Sequence, residues 1–199
     1  MKNVIIIFVV LFNTTCLNAQ SVVFDITESE LGKPEGYYSK DMNNLLNQFE
    51  GTYVYTNGNK VFTITLVKKI KQYNSSYYED LIIGEYQYSV NGTVIQNTMP
   101  DLNIVYNNQF IKHAIGGRSI IGNGHIRWKC PQCNPNEKRL RARIRDVNTE
   151  RLASFFMRRT VVNGQQVLQV KIDDVLPDLE TANPPDFSLP LGEFTMIKQ

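Results

Sequence analysis

From Gly51 onward, apolar and polar residues alternate along most of the chain. In the segment 61–67, for example, Phe62, Ile64 and Leu66 share one face and threonines occupy the other. The same alternation recurs in 84–90, 126–130, 139–145 and 167–172. A period of two predicts strands with one buried and one solvated face, which is typical of antiparallel sheets.

Asn-Gly pairs separate many of these alternating segments: Asn57-Gly58, Asn91-Gly92, Asn123-Gly124 and Asn163-Gly164. Asn-Gly tolerates the two successive positive φ angles of a type I′ turn, whose twist suits a tight β-hairpin. We therefore expect a hairpin at each of the four pairs. The unequal spacing of the pairs argues against a solenoid or a propeller.

One segment shows helical spacing instead of alternation. Met42, Leu45, Leu46 and Phe49 recur at helical intervals, and Gly51 follows them. This pattern predicts one short N-terminal helix that covers or caps the sheet.

Consecutive strands joined by turns predict an all-β fold, an antiparallel meander of about 8–10 strands. A meander of this size removes its exposed edges most simply by closing into a barrel. A two-sheet β-sandwich is the alternative.

The N-terminus has the layout of a secretory signal peptide. Lys2 precedes an apolar run from Val4 to Phe12, and Ala19 provides a small residue at the expected cleavage site. The run is shorter than the ~20 residues that a membrane-spanning helix needs, so we expect no transmembrane helix. We predict a signal peptide over 1–19 and a single mature domain over 20–199.

This interpretation places the protein outside the cell or in the periplasm. The alternative is an outer-membrane lipoprotein acylated at Cys16. The formal net charge of +2 indicates no particular partner and argues against nucleic acid.

Two further motifs carry a resemblance. The segment from Phe49 to Tyr55, with Gly51-Thr52-Tyr53 opening a strand, resembles the start of lipocalin-type (calycin) barrels. Together with the signal peptide and the ending Phe194 to Gln199, it is similar to an uncharacterised family of small secreted, lipocalin-like proteins from Gram-negative bacteria. The resemblance implies a barrel fold and export, and no particular activity.

Cys130 and Cys133 are the two cysteines that remain after cleavage. A redox-active Cys-x-x-Cys normally opens a helix, whereas here Trp128 precedes on a predicted strand and Pro135 follows. We therefore expect a structural disulfide at a hairpin end, as exported proteins often contain. Thiol exchange, free thiols and a zinc site with His113 and His125 are the alternatives.

The most unusual predicted strand carries four arginines on one face: Arg139, Arg141, Arg143 and Arg145. This face is either an anion-binding stripe or a solvated face balanced by neighbouring charges. Fatty-acid-binding barrels hold a carboxylate with interior arginine and tyrosine. If one of these arginines points into the barrel, it would lie close to tyrosines that also point inward. The candidates for such tyrosines include Tyr53, Tyr86 and Tyr88.

These patterns favour a non-catalytic protein that binds a small apolar or amphipathic ligand in the barrel mouth. The alternative is a surface interaction module of the cell envelope that uses the arginine strand. A thiol-disulfide redox protein is the third hypothesis. The sequence contains no phosphate-binding glycine loop and no nucleophile elbow, and we predict no cofactor and no metal.

Overall fold

The computed structural model describes residues 21–177 and 185–199. The predicted signal peptide and Cys16 lie outside the described residues, as does the segment 178–184.

One sheet contains eleven strands. They are β1 (Val23–Asp25), β2 (Tyr38–Lys40), β3 (Gly51–Asn57), β4 (Lys60–Tyr73), β5 (Tyr78–Val90), β6 (Thr93–Asn97), β7 (Ile115–Ile121), β8 (Arg139–Arg145), β9 (Leu152–Val162), β10 (Gln165–Asp173) and β11 (Gly192–Lys198). The described helices are the single turn α1 (Gln109–Lys112) and the 3-10 turns Asn47–Phe49 and Met99–Asn103.

Eight of the strands close into an antiparallel barrel in the order β3-β4-β5-β7-β8-β9-β10-β11. The barrel closes where β11 pairs with β3, with Ile197 opposite Val54. Each barrel strand pairs with the next barrel strand along the chain. Strand β6 comes between β5 and β7 in sequence but lies outside the barrel, paired with β5. The predicted all-β antiparallel meander and its closure are confirmed, and the sandwich alternative does not apply.

The remaining strands lie outside the barrel along one edge of β5. This edge pairs with β2 at Tyr78, with β7 from Ile82 to Gly84, and with β6 from Gln87 to Val90. Strand β1 adds to β2 in parallel. The long β5 thus joins the barrel wall to its outer layer.

Three of the predicted Asn-Gly hairpins are present. Asn91-Gly92 and Asn163-Gly164 have the two positive φ angles of a type I′ turn. Gly58 has a positive φ at the first loop position between β3 and β4. The hairpin predicted at Asn123-Gly124 is wrong, because this pair begins an irregular connection from β7 to β8.

The predicted N-terminal helix is reduced to the 3-10 turn Asn47–Phe49. Asn44 has φ +54, a left-handed conformation that a right-handed helix cannot continue. The Asp41 carboxylate instead accepts hydrogen bonds from the amides of Leu45 and Leu46 at 2.7 and 2.9 Å. Met42, expected on the buried face, is 49 % exposed.

The barrel interior is filled by its own side chains. The buried side chains of its core include Tyr53, Phe62, Tyr86, Phe155 and Met157. Leu46 and Phe49 are buried below one end of the barrel, where the Tyr53 hydroxyl donates to the Phe49 carbonyl at 3.1 Å.

A polar network closes the other end. The Tyr86 hydroxyl donates to Gln96 Oε1 at 2.6 Å, and Gln96 Nε2 donates to Asp146 Oδ1 at 2.9 Å. Asp146 also accepts from the Ser188 amide and hydroxyl, at 2.6 and 2.8 Å. Phe187 and Leu189, on either side of Ser188, are buried in the core.

Tyr86→Phe should lower the free energy of unfolding by about 1–3 kcal/mol, because it removes a partner from buried polar groups. The hydroxyl also accepts a hydrogen bond from the Val147 amide at 3.1 Å. Urea denaturation measures the change. Tyr88→Phe is the matched control, since within the described part of the chain the Tyr88 hydroxyl has no recorded hydrogen bond. Equal effects of the two substitutions would contradict the role of the network.

Acidification should release the same network. Burial alone would raise the pKa of Asp146, but hydrogen bonds from Ser188, Asn148 and Gln96 outweigh it and hold the pKa below its ordinary value. A lowered pKa stabilises the fold above the ordinary value, and this stabilisation is lost as the pH falls through the folded-state pKa. The stability gap between the wild type and Asp146→Asn should therefore shrink from about pH 6 to about pH 3. Thermal unfolding across this range measures it, and a constant gap would refute the assignment.

Candidate functional site

Strand β8 presents its arginines to the outside of the barrel. Leu140, Ala142 and Ile144 belong to the barrel core, so the alternate residues lie on the outer face. The alternation that predicted the strand therefore also sets the direction of the four arginines.

The arginines lie in different environments, and two of them have structural partners. Arg139 is fully buried, donates to the Gly122 carbonyl at 2.8 Å, and has its guanidinium 4.8 Å from the ring centre of Trp128. Arg145 pairs with Glu150 at 3.0 Å.

Arg141 and Arg143 form no ion pair with a carboxylate in 21–177 or 185–199. Arg141 is exposed. Arg143 is half-buried, and its guanidinium lies over the ring of Phe110, whose carbonyl accepts one hydrogen bond from it. Burial, followed by the positive charge of Arg145, lowers the pKa of Arg143 to about 10.

These two arginines line a cleft of about 270 Å³ on the outer wall, which we call the arginine cleft. Strands β7, β8 and β9 form its floor, where Ser154 lies opposite Arg143 in register. Phe110, Leu152 and Leu176 provide apolar walls. The cleft therefore combines an apolar surface with two cations that have no carboxylate partner in the described ranges.

The other charged residues of the arginine cleft are already paired. Arg118 binds Glu79 and Glu30. Asp174 binds Arg127, and this hydrogen bond, helped by the charges of Arg127 and Arg141, lowers the pKa of Asp174.

Phe110 is held in place by a buried histidine. His113, directly after α1, contacts Glu85 through Nδ1 at 2.7 Å and Gln109 through Nε2 at 2.8 Å. All three side chains are buried between α1 and β5. This anchor fixes α1, and with it one wall of the arginine cleft.

Cys130 and Cys133 form a disulfide with a Cα–Cα distance of 5.3 Å. The bond lies in the irregular connection 122–138, so the strand predicted over 126–130 and the hairpin at its end are wrong. The physical reason is Asn123, whose amide donates to the carbonyls of Cys133 and Asn134 at 3.2 and 2.6 Å and so folds the connection on itself. Trp128 packs it onto Phe156 outside the barrel.

The tyrosines and arginines of the predicted interior carboxylate site are not brought together. Tyr53, Tyr86 and Tyr88 are buried in the core, on the opposite side of the wall from the β8 arginines. Burial raises the pKa of Tyr53 to about 12, and the opposing charge of Arg159 only partly offsets it. These tyrosines close the barrel ends and pack its interior.

Sequence analysis missed Phe110, Ser154 and the two leucines of the arginine cleft. No motif marks them, because these side chains come together through the pairing of β8 with β9 and through the packing of α1 and the segment after β10 beside that pair. Within the described ranges, no group of three or more His, Cys, Asp and Glu residues is arranged to hold a metal ion. The described helices are all too short or too polar to cross a bilayer.

The disulfide should react slowly in the folded protein, because Cys130 and Cys133 are only 4 % and 6 % exposed. Reduction by dithiothreitol should be at least about tenfold slower in native buffer than in denaturant, since thiol exchange requires access to sulfur. Mass spectrometry of alkylated samples over time measures both rates. Similar rates would instead support the redox hypothesis.

Comparisons with known proteins identify the family of the chain, but no individual curated protein or solved structure that is similar to it. The chain belongs to DUF6705, a family of unknown function that matches residues 1–199. No curated protein and no solved structure matches the chain.

Proposed function

We propose that this member of DUF6705 is an exported, non-catalytic binding protein with a lipocalin-like barrel. Its ligand is a small amphipathic anion, and it binds in the arginine cleft on the outer wall. The observation that carries the proposal is the pair Arg141 and Arg143, which line an open cleft and form no ion pair with any carboxylate of residues 21–177 or 185–199.

Electrostatics favours an anion at this place. A half-buried guanidinium without a counter-charge loses hydration and gains no ion pair in return. The lowered pKa of Arg143 reflects this cost. A carboxylate or phosphate in the cleft would offset it through charge-assisted, bidentate hydrogen bonds.

The apolar walls favour a ligand that also carries a hydrocarbon part. Phe110 is half-buried beside Arg143, and Leu176 is 50 % exposed at the rim. Covering these surfaces would stabilise the complex by roughly 25 cal/mol per Å² of apolar area removed from water.

The barrel mouth is a less suitable place for the ligand than the outer wall. Phe155, Met157 and other large side chains fill the interior, and the Tyr86–Asp146 network closes one end. A ligand inside would have to displace these groups, whereas the arginine cleft is open.

Two other hypotheses use the same region. An envelope component that presents anionic groups to Arg141 and Arg143 would make the protein a surface interaction module. A redox role has less support, because the disulfide is buried and no helix follows it. The disulfide also supports export, since such bonds persist in oxidising compartments.

Octyl phosphate should bind the purified protein at least about tenfold more tightly than octanol, since only the phosphate pairs with the arginines. The double substitution Arg141→Gln with Arg143→Gln should abolish this preference. Isothermal titration calorimetry measures affinity, and native mass spectrometry of protein purified from its host would detect a co-purifying ligand.

Arg145→Gln is the matched control, because Arg145 lies on the same strand face and does not line the cleft. It should retain affinity within about threefold, allowing for the small long-range effect of one exposed charge. Unchanged binding in the double variant would refute the proposal. Absence of octyl phosphate binding, together with arginine-dependent retention on anionic envelope fractions, would favour the interaction module.

A further inference from the structure

A second cleft lies on the outer wall of the barrel, and it shares no lining residue with the arginine cleft. It has a volume of about 210 Å³ and lies between the connection 122–138 and the strands β9, β10 and β11. We call it the polar cleft.

The floor of the polar cleft carries three hydrogen-bonding side chains in one row across three strands. Gln169 on β10 lies opposite Arg158 on β9 and opposite Thr195 on β11. Neighbouring strands lie about 4.8 Å apart, so the row offers polar groups at regular short intervals.

The row is rigid at one end because the Arg158 guanidinium is held by two partners. Its Nε and Nη2 donate to the Glu137 carboxylate at 2.6 and 3.1 Å. Its Nη1 donates to Gln169 Oε1 at 2.9 Å, which orients the Gln169 amide. In the described part of the chain, no recorded hydrogen bond uses the Gln169 amino group or the Thr195 hydroxyl.

The opposite wall of the polar cleft comes from the connection. Trp128 and Cys130 line it, with Gln132 at the rim. The disulfide to Cys133 and the stacking of Arg139 on Trp128 hold this wall in place. The polar cleft thus lies between the largely buried Trp128, which is 9 % exposed, and a row of hydrogen-bonding groups.

The charged side chains that line the polar cleft balance once the Glu137 partner of Arg158 is included. Arg158 is neutralised by Glu137, and the exposed Lys129 and Glu193 carry opposite charges at the rim. The arginine cleft, in contrast, has two cations that pair with no carboxylate among the residues that the structure describes. The polar cleft therefore suits an uncharged ligand.

We infer that the polar cleft binds a neutral polyhydroxylated ligand, a single sugar ring, between Trp128 and the row Arg158–Gln169–Thr195. The hydroxyls of a sugar ring both donate and accept hydrogen bonds, which is the chemistry that the row offers. The amino group of Gln169 donates to such hydroxyls, and the Thr195 hydroxyl donates or accepts.

Trp128 reports binding directly, because it is the one tryptophan in the sequence. The probes are glucose, galactose, mannose and N-acetylglucosamine, titrated to about 50 mM, since single-ring ligands bind weakly. We expect at least one of them to shift the Trp128 fluorescence saturably. Saturation-transfer NMR on the same sugar provides a second, independent readout.

The side-chain row is tested by Thr195→Val, which keeps the shape and removes the hydroxyl, and by Gln169→Leu. Each should weaken binding of the responding sugar at least about fivefold, since each removes a hydrogen bond. Gln166→Leu, on the same strand and outside the lining of the cleft, is the matched control and should leave affinity unchanged. Equal melting temperatures confirm that all variants fold.

Three results would overturn the inference: no response to any of the four sugars, equal affinity in both row variants, or a response to glucuronate with none to neutral sugars. None of these results bears on the arginine cleft, because its lining residues differ. Conversely, the Arg141 and Arg143 substitutions that abolish octyl phosphate binding should leave the affinity for the sugar unchanged.

Discussion

The closure of the barrel by antiparallel pairing of β11 with β3 is the constraint on which the rest of the structure depends. A closed barrel has an inside and an outside, and successive side chains along a strand point alternately to one and the other. On β8, Leu140, Ala142 and Ile144 lie inside, and the arginines must therefore lie outside. A slip of one residue would place the guanidinium groups in the core, which is too costly to occur.

Because the interior of the closed barrel is filled, the two proposed binding surfaces lie on its outer wall. Aromatic side chains occupy the space in which a larger barrel would hold a ligand. Concave surface arises instead where extra segments lie on the wall: α1, anchored by His113 and Glu85, and the connection stapled by Cys130 and Cys133. The first borders the arginine cleft and the second borders the polar cleft. Both clefts are therefore shaped by segments outside the regular strand alternation, α1 in one case and the connection 122–138 in the other.

The strands were predictable because their signal is local, whereas the clefts were not. Alternation and the turns at Asn91-Gly92 and Asn163-Gly164 depend on neighbouring residues alone. The pair Asn123-Gly124 has the same composition, but the Asn123 side chain bonds to carbonyls ten and eleven residues away and directs the chain elsewhere. Likewise, nothing near Ser154 in sequence indicates that it lies opposite Arg143 on the neighbouring strand. Such pairings depend on strand register, which alternation alone does not determine.

The two clefts differ in charge although arginine lines both, and the difference comes from single partners. Arg158 has the Glu137 carboxylate at bidentate distance, so it acts as a fixed neutral pair that orients Gln169. Arg143 has a backbone carbonyl and the Phe110 ring, which solvate the guanidinium without balancing its charge. An arginine of the first kind favours ligands that accept and donate hydrogen bonds, and one of the second kind favours ligands that bring their own negative charge. Counting arginines along the strands therefore says little about ligand chemistry until the partner of each guanidinium is known.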